Sequence, residues 1–295
     1  MSQYLLGIDV GTSGSLINFS TYSQNCIAAL DLTDQYKIPT IMGGSGDAIN
    51  VGYEYVWMTR PLDSDAGKAM VAYMEELGLS NPVVVHNTLS SCLTGAENVV
   101  AALQAEGYDF DTDSMMFGYE NTETNFGPLV AQLMETGADC MLFFGNQTDG
   151  ANLSKAIQDA GWDVPRIGNA TISHAQTIEV AGTAINGWYC VAESSIESDS
   201  PKNQEWIQML TDYYGDDFVM TTNYYSPALE LIKAAIETAG TTTDRDAINN
   251  AIKEVDIDVA NGHLSYNGDS ALASQMYICQ MEDQQAKLIK GVTFR

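Results

Sequence analysis

A chain of 295 residues is long enough for two compact domains, and 45% hydrophobic against 17% charged residues excludes wholesale disorder. The formal net charge of −27 excludes nucleic-acid backbones and anionic membrane surfaces as natural partners, because such a surface repels both. Beyond this, the acidity describes a well-solvated surface and says nothing of fold.

The opening, MSQYLLGIDVGTSGS, has no basic start, no long apolar segment and no small-residue cleavage site, so as written it is not an export signal. No apolar run is long enough to span a bilayer. A helix is expected over Gln24–Tyr36, then the strand of IPTIM and a Gly43-Gly44-Ser45-Gly46 loop. Met70, Tyr73, Met74 and Leu77 fall on one helical face, and Pro82 introduces the strand VVVH. Ala96, Val99, Val100 and Leu103 repeat the helical spacing before the strand MMFGY. Phe126, Leu129, Val130, Leu133 and Met134 form a further apolar stripe, stopped at Gly137. CMLFFG reads as a buried strand, followed by a helix through Leu153, Ala156 and Ile157 that Gly161 ends, and WYCVAE as another strand.

Repeated β-α-β units predict a parallel sheet with helices on both faces. A helix-rich stretch follows. Trp206, Met209, Leu210 and Tyr213 mark one buried stripe, and Ala228, Leu231, Ile232, Ala235 and Ile236 a second, with Gly240 past its end. Ile248, Ile252 and Val255 mark a third helix, for which Asp244 is the N-cap. HLSYNGDSA predicts a hairpin turning at Asn267-Gly268, with MYICQM as the strand after it. The five cysteines (Cys26, Cys92, Cys140, Cys190, Cys279) are odd in number and form no CxxC, so they read as small buried hydrophobes. His86, His174 and His263 share no ligand spacing; no metal and no cofactor are expected.

Five segments in order resemble the type I periplasmic binding proteins, in the branched-chain amino-acid and amide branch: DQYKIPTIMGGSG, YVWMTRPLDSDAGKAM, NFGPLVAQLMETGADCMLFFG, AIQDAGWDVPRIGNA and NGHLSYNGD. They cover roughly residue 20 to the C-terminus. The resemblance implies an α/β fold of two Rossmann-like lobes with parallel sheets, joined by crossovers. It assigns 20–60 and 195–260 to lobe one, which is incomplete, and 61–194 and 261–295 to lobe two and return strands. Residues 1–19 are an atypical start. The implied function is capture of a small polar ligand for an ABC transporter by hinge closure, without covalent chemistry. Its partners are that ligand and a membrane permease, with no nucleic acid, and its place is outside the cytoplasm.

The resemblance places ligand at strand C-terminal ends and helix N-termini, where unpaired N–H groups and the helix dipole attract a carboxylate. In lobe one this points to Tyr22, Ser23, Gly44 and Ser45. In lobe two it points to Ser91, Asn146, Gln147, Asn169 and Thr171, and Tyr225 stands where the family often has a ligand-facing tyrosine. Amino-acid binders of the family tend to carry an acid near position 170 to pair the ligand ammonium. Here GNATIS has none, which favours an amide or carboxylate unless Asp149 reaches the cleft. A second resemblance covers only the start: YLLGIDVGTSGS is similar to the phosphate-binding turn of FGGY-type sugar kinases through Asp9, Gly11, Thr12 and Ser13. A fused or rearranged gene start accounts for it better than an active kinase, which needs a second phosphate loop and a catalytic Asp; a cytoplasmic ligand sensor built on the same lobes is the other alternative.

Overall fold

The structure, a computed structural model, describes residues 17–19, 23–215, 225–273 and 275–294. The kinase-like residues 9–13 and Tyr22 lie outside them. The chain opens with β1 (Ile17–Phe19), α1 (Ser23–Ile27), α2 (Leu30–Tyr36), β2 (Thr40–Met42) and β3 (Val56–Met58). The single helix expected over Gln24–Tyr36 is thus two, and α2 ends on Lys37 in the left-handed conformation at φ 50°. The chain then crosses to α3 (Asp63–Glu76), β4 (Pro82–Asn87), α4 (Ser90–Ala105), α5 (Thr112–Met115), β5 (Met116–Tyr119), α6 (Gly127–Glu135), β6 (Cys140–Phe144), α7 (Gln147–Ala160), β7 (Arg166–Gly168), α8 (Ala175–Ala181) and β8 (Trp188–Ala192). It returns through α9 (Pro201–Tyr214), α10 (Ser226–Ala239), α11 (Arg245–Ile252), β9 (Asp256–Val259) and β10 (Gly262–Ser265). It ends in β11 (Gln275–Glu282) and β12 (Gln285–Thr293).

These elements build two lobes. Among the described residues, the larger has a seven-stranded sheet in the order β12-β11-β8-β7-β6-β4-β5. Its five central and edge strands β4 to β8 are parallel, while β11 runs antiparallel to β8 and β12. The strand pleat sends alternate residues to opposite faces. Val83, Val85, Met141 and Phe143 face α6, α7 and α8, while Val84, Cys140, Leu142 and Phe144 face α3 and α4. A sheet covered on both sides needs apolar residues at consecutive positions, which is why CMLFF is buried throughout.

The smaller lobe has the parallel sheet β1-β2-β3. Cys26, Leu30, Met42, Val56 and Met58 form one core layer with α1 and α2. Ile41 and Trp57 face the other way, onto α10, α11 and the β9–β10 hairpin. Asp244 caps α11 as expected, its carboxylate accepting the Ala247 N–H at 3.0 Å.

Three sequence expectations change. Residues 261–273 stay on the smaller lobe rather than leaving it at 261: Met58 N–H donates to Ser270 O at 2.8 Å and Leu272 N–H to Met58 O at 3.0 Å. The hairpin turns at Ala260-Asn261, where Gly262 holds φ 133°; the Asn267-Gly268 turn makes only a second, looser return through a bridge from Leu264 to Ala273. The α9 stripe is not core. Met209 and Tyr213 are 48% and 81% exposed, and Asn203 is the buried residue of this helix.

The two lobes differ in how much backbone they protect. Amide exchange is expected to be slow in β4 and β6, buried within seven strands, and faster in β2, α9 and α10. The reverse ranking in a hydrogen-exchange experiment would show the smaller lobe to be the more stable half.

Candidate functional site

Between the lobes lies a cleft of about 220 Å³. The smaller lobe lines it with Ser23, Gln24 and Ser45. The larger lobe contributes Ser91, Cys92, Phe144, Gly145, Asn146, Gln147, Asn169, Ala170, Thr171 and His174, and the crossover segments add Arg60, Asp63 and Glu193. Most of these follow the C-terminal end of a parallel strand, where the backbone leaves the sheet and helices begin. Direct contacts span the lobes here: Gln24 Nε2 donates to Ser90 Oγ at 3.3 Å, and Asn98 Nδ2 to Asp47 Oδ2 at 2.8 Å.

The larger-lobe wall is pre-oriented by its own hydrogen bonds. Asn169 Nδ2 donates to Gly145 O at 3.1 Å, and the Thr171 hydroxyl donates to Asn169 Oδ1 at 2.6 Å. Asp149 accepts the Asn146 N–H at 3.2 Å, closing the first turn of α7. It also accepts from Asn87 Nδ2 at 2.7 Å and the Tyr119 hydroxyl at 3.1 Å. It is buried, absent from the cleft lining, and committed to that network. A small backbone position sets the back wall: a Cβ at Gly95 would stand 2.2 Å from the Phe144 ring, so only glycine lets α4 pass behind it.

On the smaller lobe, Gly46 N–H donates to Ser23 Oγ at 3.1 Å. Gly44 does not line the cleft. Its missing Cβ would fall 2.6 Å from Ile49 Cδ1 and 2.9 Å from Ser23 Cα, so this glycine holds the loop against α1. Tyr225 is 51% exposed at the start of α10 and away from the cleft, against its expected ligand-facing role. Tyr225 caps α10 from outside the helix, while Ser226, the helix's first residue, is buried.

Sequence reading missed the charged floor. Arg60, on the first crossover, places Nε and Nη2 on the two carboxylate oxygens of Glu193, on the second, and Nη1 donates to Gly43 O at 2.6 Å. Both side chains are buried. Asp63 stands beside them. Burial pushes its carboxyl up to about 7, against the opposing pull of the Arg60 guanidinium and a hydrogen bond from Ser45. Burial also lowers His174, keeping its imidazole neutral at neutral pH. The segment TRPLD carried these residues in plain view, but their partner lies 133 positions away.

Two lobes built on mainly parallel sheets, three crossings and a polar cleft between them define an α/β fold of the clamshell kind. The chain belongs to the periplasmic binding protein family, whose sequence profile matches residues 16–286. Among curated relatives, it is 27% identical over 229 residues to a Leu/Ile/Val-binding protein homologue of Brucella melitensis biotype 1, covering 77% of this chain and 61% of that protein. It is 26% identical over 156 residues to the Leu/Ile/Val-binding protein BraC3 of Rhizobium johnstonii, covering 52% of this chain and 42% of that one. The chain thus spans less than two thirds of the length of either. Among solved structures, the leucine-binding protein LivK of Thermotoga maritima superposes with a TM-score of 0.84 at 16% identity, over 95% of this chain and 80% of that one. A solute-binding protein from R. palustris in complex with benzoate superposes with a TM-score of 0.82 at 16% identity, over 96% and 79%. These two establish the shared fold.

Proposed function

We propose that this chain is the substrate-binding component of an ABC transporter, working outside the cytoplasm and delivering its ligand to a membrane permease. It captures a small polar solute (a branched-chain amino acid, an amide or a related carboxylate) by closing its lobes. The observation that carries this reading is the cleft, lined from both lobes by hydroxyl and amide groups. A ligand touching both walls stabilises the closed arrangement because only that arrangement offers both sets of contacts. The relatives' names, for Leu/Ile/Val or leucine binding, support the same class of ligand. The contacts assigned to ligand are Ser23, Ser45, Ser91, Asn146, Gln147, Asn169 and Thr171, with Gly44 shaping the loop. No phosphotransfer is part of this reading.

A thermal-shift and calorimetric panel of aliphatic amino acids, their 2-oxo acids and simple amides tests it. One class should bind, and at a hundred times its dissociation constant should stabilise the fold by about 2.7 kcal/mol. Absence of binding across the panel, or sugar-dependent ATP turnover lost in Asp9→Ala, would overturn the proposal.

A further inference from the structure

We propose that Asp63 sets the charge of the ligand: its carboxylate pairs with an amino group on the bound solute, and capture is therefore gated by pH. This rests on the reading of the cleft as the solute site. Among the described residues the lining contains three charged groups, of which Arg60 and Glu193 form a two-pronged buried pair. Arg60 also donates to Gly43 O, so one N–H on each of its three guanidinium nitrogens is committed to a protein acceptor. His174 is held neutral by burial. Counted over the described residues, one cation and two carboxylates leave the lining with a net negative charge, which Asp63 carries outside the Arg60–Glu193 pair.

Its surroundings prepare it to accept hydrogen bonds from a ligand. Ser45 donates its hydroxyl proton to Asp63, which leaves the Ser45 oxygen as an acceptor. The Asp63 N–H in turn donates to Ser45 O at 2.9 Å, fixing the first turn of α3 against the smaller-lobe loop. The charged groups facing Asp63 are Arg60 and Glu193 from the two crossovers and Asp47 from the turn after β2. Asp47 is itself engaged by the Ser64 N–H at 3.1 Å and by Asn98. An ammonium placed here meets two acceptors and the net negative charge of the lining, whereas a 2-oxo acid would set a carbonyl in its place. The acid that position 170 lacks is thus supplied from the crossover.

Burial pushes the Asp63 carboxyl up to about 7. A bound ammonium favours its charged form, so affinity for an aminated ligand rises as pH rises through that range. With ionisation near 7, the fraction of Asp63 ready to pair increases on the order of twenty-fold between about pH 5.5 and about pH 7.5.

The test is calorimetric titration of the full chain and of Asp63→Asn with the proteinogenic L-amino acids, their 2-oxo acids and 4-methylpentanamide, across that pH range. The expected result is an amino acid that binds the native chain with affinity rising on the order of twenty-fold. Asp63→Asn should bind it at least tenfold more weakly at the upper pH, without pH dependence, while oxo-acid binding is not weakened. The native chain's pH profile decides the matter even if the variant folds poorly. A flat profile, an unweakened Asp63→Asn, or binding of oxo acids or amides with no amino acid would overturn the role of Asp63 and leave the solute-binding reading standing. Binding of no solute in the panel would overturn both.

Discussion

Arg60→Met is expected to destabilise the fold by about 3–5 kcal/mol, because it leaves the Glu193 carboxylate buried without its cation. The native guanidinium satisfies both Glu193 oxygens and the Gly43 carbonyl at once. Removing it strands three acceptors in a site where Glu193 is 5% exposed. The pair need not be strongly stabilising for this to hold. A buried ion pair costs much of its attraction in desolvation, whereas half of one keeps only the cost. The double variant Arg60→Met/Glu193→Met should therefore recover most of the loss. Urea denaturation of the three variants measures this. A single-variant loss below about 1 kcal/mol, the range of exposed pairs, would show the contact to be incidental. The functional consequence follows from position. The pair bridges two of the three crossover segments, so variants that keep the fold should change how readily the lobes close.

Phe143→Ala should cost a similar amount, about 3–5 kcal/mol, through lost burial and the cavity left behind. Phe143 is fully buried in β6, its ring edge-on to Trp188 at 5.7 Å between centroids and 80° between planes. The ring also occupies the space beside Gly145 and Gly150, within 2.3 Å and 3.4 Å of where their Cβ atoms would be. It thus supports the turn from which Asn146 and Gln147 enter the cleft. Loss of the ring should weaken ligand binding as well as stability, since the first turn of α7 loses its floor. Phe143→Leu, which retains much of the volume, should lose less of both. Equal losses in the two variants would mean that filling the volume at this site does not support the turn.

These two effects mark what was and was not legible in the sequence. Phe143 was readable, because CMLFF is an apolar run that only a doubly covered strand explains, and its order among β-α units gave the parallel sheet. The turn that follows each strand was readable for the same reason. Ser45, Ser91, Asn146, Gln147, Asn169 and Thr171 sit directly after strands, and chain direction alone sends them to one end of each sheet. The α9 stripe was misread because periodicity reports an apolar face without reporting what lies opposite. Met209 and Tyr213 have helical spacing and almost no partner surface among the described residues.

The sequence by itself determined the alternation of elements, the sheet pleat and the end of the sheet at which a ligand site forms. These follow from local covalent geometry and from apolar spacing over a few residues. Only the tertiary structure decided the charge of the cleft. Asp149, the carboxylate nearest the expected site in sequence, is turned into a buried network with Asn87 and Tyr119. Asp63, within the segment YVWMTRPLDSDAGKAM, is brought to the cavity, and Arg60 is paired with Glu193 from the next crossover. Which charges neutralise one another depends on distances of a few ångströms between segments more than a hundred residues apart, and no local pattern encodes them.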